Sequence, residues 1–216
     1  MQQESKYAIV RGERIHYLVG GQGTPLVLIH GLASSGTLWR HTFDGLAARH
    51  RVYAIDLPGC NLSRSARRVR LDRSAEFLES WLDAVEVPRA HVLGHSWGGA
   101  VAIRLAATLP DRVDRLILVN SAGLPLGGPL PFLVPRLFRS GSPIRRDALG
   151  MIARDLFRTG PRNLAGMAFD ITREDTSALL PTIKAPTLVL WGLNDRLLPV
   201  RLGERLVEFI PGAHLV

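Results

Sequence analysis

Gly94-His95-Ser96-Trp97-Gly98-Gly99 limits what this 216-residue chain can fold into more than any other stretch. A strand-like run, 91–93, precedes it, and a helix-forming run, 97–109, follows and stops at Pro110. A G-x-S-x-G at a strand-to-helix turn predicts a bend so tight that its serine sits in strained backbone geometry with Oγ pushed outward. Gly94 and Gly98 make room for neighbouring backbone at such a bend. The helix N-terminus aims backbone N–H groups at the same place. Ser96 is therefore the first candidate nucleophile.

The rest of the chain supplies the strands and helices that this bend needs. Residues 7–10 and 14–19 read as two opening strands around Gly12. Residues 26–29 are a short apolar run of the kind that forms a buried strand, 52–55 and 91–93 read as strands, and 116–119 and Thr187–Leu190 as two more buried strands. Residues 38–50 read as a helix, and so do about 200–209. The clearest amphipathic helix is 72–87, where Ala75, Leu78, Trp81, Leu82 and Val85 recur at spacings of three and four. Strands alternating with helices predict an α/β domain around a largely parallel sheet.

Residues 122–182 break this rhythm. Pro125, Pro129, Pro131, Pro135 and Pro143 punctuate short apolar pieces, and weaker helical segments follow. The expected division is a core of 1–121 and 183–216 with a cap or lid insertion at 122–182. Insertions at one edge of a rigid sheet are where function concentrates.

Composition narrows the class. Hydrophobic residues are 46% and charged residues 21%, a globular balance that excludes disorder as the main state. No apolar run reaches the roughly 18 residues of a membrane span, and the polar start, Met1 to Lys6, has no signal-peptide core. Cys60 is the single cysteine, so a reducing cytoplasm is the expected compartment. The net charge is +8, and all basic residues except Lys6 and Lys184 are arginines. They are spread along the chain, and the densest run, Arg64, Arg67, Arg68, Arg70 and Arg73, has no interleaved aromatics. A solvated surface is expected there, with no nucleic-acid partner.

Three further segments carry a resemblance. His30-Gly31-Leu32-Ala33-Ser34-Ser35-Gly36 with Trp39, then Asp56-Leu57-Pro58-Gly59, then Trp191-Gly192-Leu193-Asn194-Asp195 accompany the elbow. Together they resemble the α/β-hydrolase superfamily, of the serine hydrolase or esterase kind with a short cap. The resemblance implies a three-layer α/β sandwich with a mostly parallel sheet and a helical cap. It implies catalytic Ser96 and Asp195, and an oxyanion hole from the backbone N–H groups of Leu32 and Trp97. A free serine hydroxyl is a poor nucleophile and needs a base beside it; the acid orients that base and stabilises its charged form. A small-molecule acyl substrate is implied, with no cofactor and no metal. His30 is expected to brace the oxyanion loop and Asp56 to shape its own loop. One departure from the family pattern is Cys60-Asn61-Leu62-Ser63, where His-Gly-x-Ser is common; Asn61 takes positive φ more easily than most residues.

The base is the difficulty. The order in this family is Ser, acid, His, and the only histidine after Asp195 is His214. His214 follows Ile210-Pro211-Gly212-Ala213, a helix-to-strand connection, so it is expected at the entry of the last strand. Catalytic groups of such sheets lie beyond the carboxyl ends of strands, and a five-residue strand spans about 16 Å. The resemblance places the base in the loop after that strand. The expectation is a C-terminally incomplete hydrolase, without its base, the end of the last strand and the closing helix. His16, His41, His50 and His91 show no carboxylate pattern nearby and are expected to be surface or core residues.

The expected activity is cleavage of a carboxylic ester or similar acyl compound through an acyl-enzyme on Ser96. Carbon–carbon bond hydrolysis, release of N-terminal proline, and a non-catalytic binding protein on the same fold are the alternatives. A peptidase needs acids to hold a substrate amine, and 122–182 offers Asp147, Asp155, Asp170, Glu174 and Asp175. An acidic substrate would favour Arg136, Arg139, Arg145 and Arg146.

Overall fold

The computed structural model describes residues 3–64, 66–125 and 146–216. Pro129, Pro131, Pro135, Pro143, Arg136, Arg139 and Arg145 lie outside the described residues. β1 (Glu4–Val10) and β2 (Glu13–Gly20) pair antiparallel. Their two-residue turn, Arg11 and Gly12, has φ of 52° and 82°, the left-handed pair that matches the twist of a hairpin. β2 also lies antiparallel on β4 (Arg51–Ile55). From β4 onward the strands are parallel: β3 (Pro25–Ile29), β5 (Ala90–His95), β6 (Val113–Val119), β7 (Thr187–Leu190) and β8 (His214–Leu215). Among the described residues the order is β1-β2-β4-β3-β5-β6-β7-β8.

Both faces of the sheet are covered, which is why its central strands are apolar without alternation. Along β3, Val27 and Ile29 join one core and Leu26 and Leu28 the other. The larger core takes in α2 (Ser74–Ala84) and α3 (Trp97–Thr108). The buried face of α2 is Ala75, Phe77, Leu78, Trp81 and Leu82; Phe77 joins the stripe read from the spacing, and Val85 falls just past the helix end, half-buried. Removing the fully buried Trp81 side chain would cost about 3–5 kcal/mol. The opposite core holds Phe43 and Ala47 of the short helix α1 (Phe43–Ala47).

The helix expected over 38–50 is shorter than predicted. Ser35 opens a 3-10 turn, Gly36–Trp39, by accepting the Thr37 N–H at 3.3 Å. Thr42 then closes that turn, with its N–H 2.9 Å and its hydroxyl 3.2 Å from the Trp39 carbonyl. Only α1 remains beyond it. Threonine competes for backbone carbonyls and weakens the helix at this point.

The later part of the insertion forms α4 (Arg146–Arg173), kinked at Gly160, whose φ of 73° and ψ of 158° are not helical. Pro161 follows and cannot supply the helical N–H. The C-terminal segment is α5 (Arg201–Phe209), a turn with Gly212 at φ 69°, and β8. Among the described residues no helix is long and apolar enough to cross a membrane.

Candidate active site

Ser96 sits between β5 and α3 with φ 52° and ψ −118°. A side chain in such a backbone costs on the order of 1–3 kcal/mol, and the surroundings must enforce it. They do so through hydrogen bonds and crowding. The Ser96 N–H donates to the Val119 carbonyl at 3.0 Å, and its carbonyl accepts from Gly99 and Ala122, both at 2.9 Å. A Cβ on Gly94 would overlap the Gly98 carbonyl, and one on Gly98 would overlap the carbonyls of Ile29 and His30. Trp97 is the first residue of α3, so its backbone N–H has no partner within the helix.

The loop after β3 is pressed against this turn. A Cβ on Gly31 would lie 3.1 Å from Ser96 Cβ and 3.0 Å from His95 Nδ1. Leu32 is next in the chain and packs against the larger core. His30 braces the loop. Its Nδ1 donates to the Gly31 carbonyl at 2.8 Å, and its Nε2 accepts the Leu57 N–H at 3.0 Å. Complete burial pushes this imidazole down from its ordinary pKa, against the pull of the Asp56 charge. His95 lies beside the nucleophile, edge-on to Trp39 at 6.4 Å. Burial pushes it down too, and its Nδ1 has no partner among the described residues.

Asp56 ties three segments together. Oδ1 accepts the Gly36 N–H at 2.7 Å, and Oδ2 accepts from His16 Nδ1 at 2.9 Å, Asn61 Nδ2 at 2.9 Å and the Leu62 N–H at 3.2 Å. Burial pushes its carboxyl up, but these donors and the neighbouring imidazoles outweigh it and hold the group below the usual carboxylate range. His16 thereby departs from expectation: it has a carboxylate partner, from a strand-neighbour segment that spacing does not reveal.

α4 grips the same loops from outside. Asp155 is fully buried and accepts the Ser35 hydroxyl at 2.6 Å and Arg154 Nε at 3.1 Å. Arg158 donates to Asn61 Oδ1 at 2.8 Å, and Asn163 donates to the Gly59 carbonyl at 3.1 Å. The other acids of the insertion whose side chains are described make contacts too. Asp170 pairs with Arg68, Glu174 pairs with Arg104 at 2.7 Å, and Asp175 accepts the Ser177 N–H at 2.9 Å. The side chains of Asp147 and Arg146 lie outside the described residues. Cys60 is buried near Met167, and burial pushes its thiol up to about 12.

Asp195 follows β7, on the carboxyl edge where Ser96 follows β5. Oδ1 accepts the N–H groups of Leu197 at 2.9 Å and Leu198 at 2.8 Å, and Oδ2 accepts Asn120 Nδ2 at 2.7 Å. Asn120 follows β6 at a φ of 41°. Sequence reasoning missed it, although an asparagine directly after a strand was the available signal. His214 is exposed and is the first residue of β8, paired with Leu188.

A family model described as the alpha/beta hydrolase fold matches residues 24–159. The chain belongs to the α/β-hydrolase fold family. A hydrolase of Burkholderia vietnamiensis named for 2-hydroxy-6-oxononadienedioate and 2-hydroxy-6-oxononatrienedioate is 31% identical, over 94% of this chain and 82% of its own length. The pimeloyl-[acyl-carrier protein] methyl ester esterase of Nitrosomonas europaea is 30% identical, over 94% and 89%. The polyketide synthase ThaQ of Burkholderia thailandensis is 31% identical over 94% of this chain, which spans only 11% of that protein. The crystal structure of the enol-lactonase of Burkholderia xenovorans superposes with a TM-score of 0.83 at 25% identity, covering 98% of this chain and 90% of that one. In this α/β-hydrolase the departure at 60–63 costs little. Asn61 adopts φ 41° and its amide adds a donor to Asp56.

Proposed function

We propose that this chain is a serine hydrolase that cleaves a carboxylic ester or similar acyl compound through an acyl-enzyme on Ser96. The observation that carries the reading is the enforced backbone of Ser96, φ 52° at a helix N-terminus. Ser96 Oγ attacks the acyl carbon. The N–H groups of Trp97 and Leu32 take up the oxyanion, each worth roughly 3 kcal/mol in the transition state. Asp195, with three donors already fixing its carboxylate, orients the base and balances its charge. The steps move only protons and an acyl group, so they call on no cofactor. The insertion, 122–182, is assigned the role of a cap in this reading, and its described helix α4 contacts the loops at Ser35, Gly59 and Asn61.

His214 is not the base in this reading. It is level with Leu188, and across the sheet with Leu93, three residues short of Ser96. That offset is about 10 Å along the strands, and three strand spacings add about 14 Å across. Hydrogen-bond reach is about 3 Å. The N–H and carbonyl of Val216, by contrast, pair with Val189 and Trp191 at 2.9 Å each, at the carboxyl edge of β7.

A second reading is carbon–carbon bond hydrolysis. The relative named for 2-hydroxy-6-oxo dienedioates supports it at 31% identity. Ester cleavage is supported by the 30% identical methyl ester esterase.

The test is site-resolved. The chain, Ser96→Ala and His214→Ala are exposed to a fluorophosphonate, and the adducts are located by peptide mass spectrometry. p-Nitrophenyl butyrate and a 2-hydroxy-6-oxo dienoate are assayed beside them. An adduct on Ser96 that survives His214→Ala supports the reading. Loss of that adduct in His214→Ala makes His214 the base, and a Ser96 left unmodified even when free imidazole is added to supply a base removes the enzyme assignment. Turnover of the dienoate without the ester favours the second reading.

A further inference from the structure

A second serine is linked to a base, away from Ser96. The carboxylate of Asp56 is an acceptor only, so His16 Nδ1, 2.9 Å away, donates to it. In a neutral imidazole the other ring nitrogen is then an acceptor. That nitrogen, Nε2, lies 2.8 Å from Ser5 Oγ. With the imidazole neutral, the Ser5 hydroxyl points its proton at that lone pair.

The three residues form a fixed chain. Asp56 and His16 are 0% and 1% exposed, while Ser5 stands exposed on the edge strand β1. The imidazole is held by its strand. The His16 N–H donates to Ser63 Oγ at 2.9 Å, Tyr7 lies opposite in the β1–β2 register, and its ring meets the imidazole edge-on at 5.2 Å. Burial limits the escape of the imidazole to other rotamers, and the exposed hydroxyl remains open to a reagent. β1 and β5 are four strand spacings apart in the sheet order, about 19 Å, so Ser96 cannot hand an acyl group to Ser5 directly.

We propose that Ser5 is an acylation site of this protein, with His16 as its base and Asp56 balancing the charge. The partner chemistry is an activated acyl or phosphonyl compound. With p-nitrophenyl acetate, Ser5 Oγ attacks the carbonyl carbon and its proton passes to His16 Nε2. The tetrahedral centre collapses, the bond between the acyl carbon and the aryloxy oxygen breaks, and p-nitrophenolate leaves with the electron pair. Ser5 keeps the acetyl group, and His16 returns its proton to solvent. A positioned base typically contributes 10²–10⁴-fold. Ser5 stands on a strand and not at a helix N-terminus, so the donors that surround Ser96 are not matched there. The expected result is one slow acylation event, not turnover.

The experiment uses the full chain carrying Ser96→Ala, so that it stands apart from the reading of Ser96. The protein is treated with p-nitrophenyl acetate, and acetylation of Ser5 and Ser80 is followed by peptide mass spectrometry. Ser80 is the internal comparison, since its hydroxyl donates to the Glu76 carbonyl at 3.0 Å and not to an imidazole, and accepts from Arg11 Nε at 3.1 Å. Ser5 is expected to react roughly 100-fold faster than Ser80, and His16→Gln should abolish the difference. Acetylation of Ser5 no faster than Ser80 overturns the proposal. Should His16→Gln fail to fold, the Ser5 to Ser80 ratio in the folded Ser96→Ala protein decides alone.

Discussion

Asn120 and Asp195 hold one another across the carboxyl edge of the sheet. The Asn120 amide donates to Asp195 Oδ2 at 2.7 Å, and its Oδ1 accepts the Gly192 N–H at 3.3 Å. One side chain thus joins the loop after β6 to the loop after β7, and it sets where the Asp195 carboxylate can point.

Replacing Asn120 by Ala removes a hydrogen bond to a charged group. The expected cost is about 1.5–3 kcal/mol of stability, read as a lower urea midpoint. Any Ser96-dependent rate should fall with it, chiefly in kcat. An unchanged midpoint and rate would show that the Leu197 and Leu198 amides suffice to hold Asp195.

Ser96→Gly should stabilise the protein while removing the Ser96 adduct. The strain at φ 52° is worth on the order of 1–3 kcal/mol. Glycine's extra freedom in the unfolded chain takes back about 0.5–1 kcal/mol. A net gain of about 1 kcal/mol is expected over Ser96→Ala, which keeps a Cβ in the same backbone. Equal denaturation midpoints for the two variants would count against enforced strain.

Asp155→Ala should loosen the join between α4 and the loop after β3. It leaves the Ser35 hydroxyl without its 2.6 Å partner and Arg154 Nε without the carboxylate 3.1 Å away. The expected loss is about 2 kcal/mol. Hydrogen exchange of the amides in Gly36–Trp39 should quicken with it. Exchange that quickens only in α4 would place the effect elsewhere.

Stability should fall as pH drops from 7.5 to 5.5. His30, His91 and His95 are each pushed below the ordinary value of 6.5, mainly by burial. Below 6.5 the unfolded chain therefore takes up protons that the folded chain refuses, and folding loses free energy. Asp56, held below 3.8, extends the loss at lower pH. Glu174, pushed up from 4.5 by burial, works in the opposite direction, but around and above 4.5. Urea midpoints at pH 5.5, 6.5 and 7.5 test this, and a midpoint that rises on acidification would contradict it.

Cys60 should be silent in the native protein. Its thiol is buried and pushed up to about 12, so almost no thiolate is present at pH 8. Ellman's reagent should find its thiol only after denaturant is added. Rapid native labelling would show that α4 leaves the Cys60 pocket readily.

The strands were legible because each is a local run of apolar residues between turn residues. Thr187–Leu190 was read with the bounds it has. The buried stripe of α2 was legible from spacing. The helix over 38–50 was misread because the hydroxyls of Ser35 and Thr42 divert backbone groups, an effect that apolar periodicity does not record. Within the site, Ser96 and Asp195 could be singled out because each follows a strand within a recognisable short segment. Asn120 could not, because its role exists only once β6 and β7 lie side by side.

The sequence by itself determined the bend at Ser96, the α/β alternation and the strand that leads to Asp195. Each depends on neighbours within a few residues, where sterics and hydrophobic spacing act directly. Only the tertiary structure decided that His16 is shared between Ser5 and Asp56, that Asp155 holds Ser35, and that His214 stands level with Leu188. Those partners lie 11, 40 and 120 residues apart, or on strands whose register is set across the sheet. A buried donor takes the acceptor that packing brings to it, and no single sequence states which one that will be.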